Sequence, residues 1–474
     1  MTAPAPAPAP SATATATATA TPTRPAEGGT ASPASPVRGF ALLGAVQMTL
    51  IFTLASLAVP LPRIGAELGL DRADLILLSA AYGLTFAGLL LFGGRIADRF
   101  GGRRALTAGL VVFGAASALA PLAPGYEALL TARFAQGVGA ALVAPAGMAV
   151  LRALYPAPAA YGRAMATWGG LSVLGATAGN LLSGVISAVV SWRWSFAVPV
   201  VVALLALTLA PRLLPTTPAT PGGRGLDLPG ALLATGGITL ASYGLVLTDA
   251  ESWGSPAVLV PLLLGLLLLA GFGLVERRAA DPLLPPGFLR DGRRAVGLAA
   301  VAISASGTAS VFVLLSLALQ QDRGWSALLT SGAFVPFAVV LVGSGRFAGP
   351  LIQRYGAGRT TAAGLGTGAL GLALLAATGF DPATPYAYGL LPGLLLLPAG
   401  AALSFAGAGV LITDGVPPER AGLAGGVLNT AMELGPTVVF AAVLTLGSDG
   451  ASLAATAAAF AALAVPALRS ARTR

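Results

Sequence analysis

The stretch GGRIADRFGGRR, Gly93 to Arg104, packs five charges into twelve residues of a chain in which 9% of residues are charged, where about one would be expected. Uncharged runs flank it on both sides, Leu75 to Gly94 before it and Ala105 to Tyr126 after it. An apolar helix of roughly 18 residues or more crosses the ~30 Å hydrocarbon layer of a bilayer. The stretch therefore reads as a charged turn between two membrane helices, and the rest of the chain is read outward from it.

Composition agrees. Of 474 residues 55% are hydrophobic and the mean hydropathy is +0.83, so lipid is the solvent for most of the chain. There is no Cys and no His, and all 27 basic residues are Arg. Thiolate and imidazole metal sites, a P-loop lysine and a Schiff-base lysine all fall away, so neither a metal nor a cofactor is expected. The formal charge of +9 is spread between apolar runs rather than gathered in one patch, which speaks for membrane topology and against nucleic acid.

Residues 1–38, rich in Pro, Ala and Thr, read as a disordered cytoplasmic tail without the layout of a signal peptide. Beyond them come fourteen stretches of spanning length: Gly39 to Pro62, Leu75 to Gly94, Ala105 to Tyr126, Ala128 to Leu151, Ala164 to Trp192, Trp194 to Pro211, Leu228 to Thr248, Ser252 to Val275, Ala295 to Gln321, Gly324 to Gly345, Thr360 to Phe380, Pro382 to Thr413, Ala421 to Ser448 and Gly450 to Leu468. Two of them hold one internal charge each, Arg133 and Glu433. With the N-terminus inside, 22 arginines fall on the inner side, four on the outer side (Arg63, Arg72, Arg193 and Arg323) and Arg133 within the membrane. That skew predicts cytoplasmic termini and a multi-pass protein of the cell membrane.

Sliding the chain by 255 residues lays Gly94 on Gly349, and Arg99, Phe100, Gly101 and Arg104 on Arg354, Tyr355, Gly356 and Arg359, with Gln353 under Asp98. The predicted architecture is therefore all-α and pseudo-twofold: a six-helix bundle over 39–211, two extra helices and a linker over 212–294, a second six-helix bundle over 295–468 and a tail over 469–474. Parallel repeats of this kind are a transporter design with the substrate held between the halves.

At this point the chain resembles the major facilitator superfamily, in particular its fourteen-span drug:proton antiporter branch. The resemblance rests on Gly94, Arg95, Asp98, Arg99, Gly101, Arg103 and Arg104 after the second helix, on Arg133, Gln136 and Gly137 in RFAQGVGAA, on WRWSF after the fifth helix, and on GLAGGVLNTAMELG in the thirteenth. Gly175, Gly179 and Gly184 match the fifth-helix signature as packing residues, although Asn180 stands where the family has Pro. Thr53 and Ala58 occupy first-helix positions where the branch usually carries Asp and Asn, so its usual proton-coupling carboxylate is missing.

The resemblance implies that Asp98 faces the positive end of the thirteenth helix, near Ala421, as a gate balanced by Arg95, Arg99 and Arg104. The plain alternative is a turn whose arginines only set topology, which requires neither an Asp nor fixed glycines. Arg133 is implied in proton transfer or anion binding, the alternative being a side chain that reaches outward to the interface. Glu433 is the one carboxylate at midplane depth, and it either couples transport to protons in place of the missing first-helix Asp or ties helices together. Asn429 lies one turn earlier on its face, and Asn180 and Thr177 fall at the corresponding depth of the fifth helix. The expectation is a secondary exporter of a small hydrophobic compound, such as a drug or antibiotic, driven by protons, acting as a monomer in the lipid bilayer. A facilitator or importer of the same fold is the alternative. A membrane sensor or enzyme is remote, because the chain shows no soluble domain or polar catalytic cluster.

Overall fold

The computed structural model describes residue 2 and residues 36–470, apart from 58, 218, 220–225, 250, 280–281, 379 and 445–447. Most of the N-terminal tail lies outside the described residues. Among them every regular element is helical.

Fourteen helices are long: α1 Pro36–Ala55, α2 Arg72–Phe100, α3 Gly102–Leu119, α4 Tyr126–Leu154, α5 Pro158–Val189, α6 Ala197–Leu213, α7 Leu228–Val246, α8 Pro256–Glu276, α9 Gly292–Gln321, α10 Val335–Tyr355, α11 Ala357–Thr378, α12 Leu391–Thr413, α13 Ala421–Leu444 and α14 Asp449–Arg469. Thirteen of them are long and apolar enough to cross a membrane among the described residues. The other is α13, whose outermost side chains lie outside the described residues. Large apolar side chains cover the outer faces: on α8 alone Val260, Leu263, Leu266, Leu267 and Leu274 are all exposed. In water such a face would drive association, whereas in lipid it is the face the solvent wants.

Close helix contacts depend on small residues, because lipid offers no hydrophobic drive to hold apolar helices together. α11 and α12 meet through Gly364, Gly371 and Gly400, where an added Cβ would overlap the partner's backbone. α5 seats on α1 in the same way: Gly175 lies against the Met48 carbonyl, a Cβ on Gly179 would come within 2.6 Å of the Phe52 carbonyl, and Gly184 touches Val59.

The packing repeats along the chain. α2 packs on α4 as α10 does on α12, and α3 on α4 as α11 does on α12. Between the sets α1–α6 and α9–α14 run two matching seams, α2 against α13 and α10 against α5. The extra pair α7 and α8 pack on each other, and α7 lies along α2, where Thr239 donates to the Leu84 carbonyl (3.3 Å).

Two readings of the sequence need correction. Gly94 to Phe100 is not loop but the last turns of α2, and the turn is Gly101 alone, at φ 88°, before α3 begins at Gly102. Charges do not end a helix at the membrane surface, where water solvates them while the backbone ladder continues. For the same reason the tenth spanning helix runs Val335–Tyr355 rather than Gly324 to Gly345. A short helix, Ala327–Ala333, precedes it. The break falls at Phe334, whose ring stacks on Phe312 with centroids 4.4 Å apart, and Pro336 lies in the first turn of α10, where its missing N–H costs no helical bond.

Candidate functional site

A cavity of about 980 Å³ lies between the two helix sets. From the first set α1 and α5 line it with aliphatic and small residues, among them Leu54, Ser172, Val173 and Thr177. The second set supplies the aromatic rings Phe312, Phe334 and Phe405 and, on α13, Glu433. On α9 the residues Ser304, Thr308, Phe312, Ser316 and Gln320 recur every fourth position and so share the cavity face. The lining reaches Val59, Gln320 and Thr330 at one end of the molecule and stops at Phe405 and Ala166 at the other. Phe405 crosses between the sets there: a Cβ on Gly169 would lie 3.3 Å from its ring.

Glu433 is the one charged side chain on this lining among the described residues. Its depth is fixed by Gly435, where a Cβ would meet the Ala302 carbonyl at 2.5 Å. Thr177 also lines the cavity, its hydroxyl donating to the Val173 carbonyl at 3.0 Å. Asn429 does not line it. Asn429 is fully buried beneath the floor, its Nδ2 donating to the Gly425 carbonyl (2.8 Å), and its Oδ1 has no donor among the described residues. The side chain of Asn180 lies outside the described residues.

Arg133 is fully buried and does not reach the interface. Its Nη1 donates to the Thr53 carbonyl (3.1 Å) and to Gln136 Oε1 (3.0 Å), and the Gln136 amide donates onward to Ser117 Oγ (2.8 Å). The guanidinium sits 5.0 Å from the centre of the Tyr82 ring, and the Tyr82 hydroxyl donates to the Leu50 carbonyl. Nε and Nη2 have no acceptor among the described residues. A buried cation without a carboxylate is costly. It contacts residue 53, the position where the resembling branch carries Asp and this chain carries Thr.

At the end away from the cavity mouth, Asp98 is 4% exposed and grips α13. Its Oδ1 accepts the Gly422 N–H (2.5 Å) and its Oδ2 the Leu423 N–H (2.8 Å), both in the first turn of that helix. An anion there satisfies donors that have no intrahelical acceptor and meets the positive end of the helix dipole. The helices cross closely enough that a Cβ on Gly94 would lie 2.5 Å from the Gly422 carbonyl, which accounts for glycine at 94. Arg95 and Arg420 are the cations acting on the carboxylate. Arg104 is exposed, and Arg99 lies over the Phe100 ring at 6.0 Å. Arg103 and Gly101 serve a different contact: Arg103 donates to the Leu214 carbonyl at the end of α6 (3.1 Å), and the turn at Gly101 brings the Gly102 N–H onto Thr217 Oγ1 (2.5 Å). Neither helix of the matching seam, α5 or α10, contains an Asp or a Glu. Arg163 lies across Gly349, where a Cβ would come 2.6 Å from its Cγ.

At the cavity end of the first set, Glu67 on the short helix Leu61–Leu68 accepts Trp192 Nε1 (2.8 Å) and Arg193 Nη1 (2.5 Å). Those two donors hold its carboxyl below the usual carboxylate range.

Two matching helix sets that enclose a large cavity between them, open toward one end and clasped at the other, define a membrane transport protein. The chain belongs to the Major Facilitator Superfamily, whose family model matches residues 41–440. It is 38% identical over 420 residues to the puromycin resistance protein of Streptomyces alboniger, covering 88% of this chain and 82% of that one. It is 36% identical over 433 residues to the cephamycin export protein of Amycolatopsis lactamdurans, covering 90% and 88%. Among solved structures, the human organic anion transporter MFSD10 aligns with a TM-score of 0.64 at 18% identity, over 92% of this chain and all of that one, a likeness of fold. The protein is thus a transporter and not an enzyme.

Proposed function

We propose that the protein is a proton-coupled exporter of a small hydrophobic compound of the antibiotic class, with fourteen spans, both termini cytoplasmic, working as a monomer in the cell membrane. The observation that carries the reading is Glu433, the lone charged group among the described residues on a large lining of apolar and uncharged polar side chains, on the same helix that Asp98 clasps. The relatives named for puromycin resistance and cephamycin export support the cargo class.

Glu433 lies eleven residues beyond Gly422, about 17 Å along α13 at 1.5 Å per residue. The clasp and the carboxylate therefore move as one body. With Asp98 on α13 the cytoplasmic side is shut and Glu433 faces the outer opening. Breaking the clasp lets residues 295–468 rock against 39–211, and the same carboxylate then faces the cytoplasm. A carboxylate in an apolar wall needs its charge offset, and a proton taken up outside and surrendered inside does this while cargo takes the opposite course. The broad lining, with its rings and scattered hydroxyls, suits cargo recognised by shape and a handful of hydrogen bonds.

Thr53 in place of the usual acid favours a second reading, a facilitator or importer of the same fold. Everted vesicles separate the two. Acidifying the lumen should drive puromycin or a cephamycin into wild-type vesicles, whereas gradient-independent equilibration of both compounds would sink the export reading.

A further inference from the structure

The first helix set offers the cavity two polar side chains among the described residues, Ser172 and Thr177; the rest of its lining is aliphatic side chains, alanine and glycine. Both stand on α5, and both commit their proton to it: Ser172 Oγ donates to the Trp168 carbonyl (3.2 Å) and Thr177 Oγ1 to the Val173 carbonyl (3.0 Å). A hydroxyl has one proton and two lone pairs, so each turns an acceptor toward the cavity. Ser172 lies three residues, about 4.5 Å along the helix, from Gly169, against which the Phe405 ring closes the floor. A compound resting on that floor meets Ser172 first.

Ser172 also has a second partner, which Thr177 lacks among the described residues. Behind it on α1 lies Gln47, 1% exposed, whose Nε2 donates to Ser172 Oγ at 3.1 Å. Contacts on either side keep the two residues in register: a Cβ on Gly44 would lie 2.6 Å from the Leu171 side chain, and Gly175 lies against the Met48 carbonyl. Gln47 Oε1 is buried and has no donor among the described residues. Burying an acceptor unpaired is unfavourable, and an apolar chain of the same volume would fill the space between α1 and α5 without it. Packing therefore does not account for the amide, whereas its N–H on Ser172 does. With Nε2 on one lone pair and the proton on the Trp168 carbonyl, the Ser172 hydroxyl is held from turning, and one lone pair remains.

We propose that Ser172 is the residue with which the first helix set reads cargo: its remaining lone pair accepts a hydrogen bond from an N–H or O–H group of the compound, and Gln47 is the positioning residue that fixes it as an acceptor. This rests on the reading above that small hydrophobic cargo occupies the cavity, and it adds that the cargo carries a hydrogen-bond donor on its apolar body. It stands whether or not export consumes protons.

Equilibrium binding of radiolabelled puromycin to the full-length protein in lipid nanodiscs, with no gradient, tests this apart from proton coupling. Losing one hydrogen bond should raise Kd about three- to tenfold in Ser172→Ala. Ser172→Thr and Ser172→Val match each other in shape and differ by the oxygen, so the first should bind within about twofold of the wild type and the second like Ser172→Ala. Gln47→Met keeps the volume and drops the amide; Kd should rise about two- to fivefold, and adding it to Ser172→Ala should weaken binding no further, because the amide acts through the hydroxyl. Tetraphenylphosphonium, which has rings but no N–H or O–H, should compete no better and no worse against Ser172→Ala than against the wild type, each corrected for its own puromycin affinity. An unchanged Kd in Ser172→Ala, equal binding by Ser172→Thr and Ser172→Val, or full additivity with Gln47→Met overturns the inference while leaving the cargo reading intact. A wild type that does not bind puromycin would overturn the cargo reading and this inference with it.

Discussion

Asp98→Asn keeps the shape of the side chain and removes its charge. In the shut state the carboxylate accepts two N–H groups of α13, at 2.5 and 2.8 Å. Hydrogen bonds to a charged acceptor contribute about 1.5–3 kcal/mol each, and an anion at a helix N-terminus roughly 0.3–2 kcal/mol more. The asparagine keeps one acceptor and points its own donor at the other N–H, leaving a buried amide unsatisfied at about 1–3 kcal/mol. A net loss of ~3–5 kcal/mol from the shut state moves its equilibrium with the inward-open state by about two to three and a half decades, at about 1.4 kcal/mol per tenfold. Arg212 and Arg354, exposed at the ends of α6 and α10, can each be replaced by Cys in this cysteine-free chain and spin-labelled. Electron–electron distances in nanodiscs should show one short population in the wild type and a longer population dominating Asp98→Asn, with transport lost and membrane insertion kept. An unchanged distance distribution in the variant would refute the clasp.

Three further substitutions probe the remaining contacts. Gly94→Ala places a methyl 2.5 Å from the Gly422 carbonyl and should populate the same longer distance without touching a charge; a normal distribution would mean that the crossing tolerates a side chain. Thr53→Asp sets a carboxyl beside the Arg133 guanidinium, whose Nε and Nη2 have no acceptor among the described residues, and because the cation is already buried the thermal midpoint in detergent should rise; a lower midpoint would show that desolvating the new carboxylate outweighs the pairing. Glu67, whose carboxyl is depressed by its two donors, stabilises the fold above the ordinary carboxylate range and loses that contribution as pH falls through its own lower value. Trp192 fluorescence should therefore change in acid in the wild type, and the step should vanish in Glu67→Gln.

The long helices were legible because a spanning helix needs an uncharged run and little else. Their ends were not, since Arg95, Asp98 and Arg99 continue α2 into water while an uncharged-run criterion stops at Gly94. Glu433 was legible from its depth alone. Tyr82 and Ser117 were not, because their roles arise from helices crossing: the Tyr82 ring faces Arg133 from α2, and Ser117 receives Gln136 from α3. The four-residue recurrence of Ser304, Thr308, Phe312, Ser316 and Gln320 was readable on α9 as a helix face, but which face met the cavity was not. Asn429 shows the opposite limit. One turn from Glu433 on the same helix, it lies below the cavity floor, because the floor is set by Phe405 on another helix. Gln47 and Ser172 lie 125 residues apart in sequence, and only the packing of α1 on α5 brings them together.

The central claim is that Glu433 carries the proton exchanged for cargo. Everted vesicles containing the wild type or Glu433→Gln, matched for protein, can be given an acid lumen and assayed for puromycin uptake, alongside equilibrium exchange of puromycin without a gradient. The account expects gradient-driven accumulation in the wild type, none in Glu433→Gln, and exchange retained in both. Accumulation by Glu433→Gln equal to the wild type would contradict it.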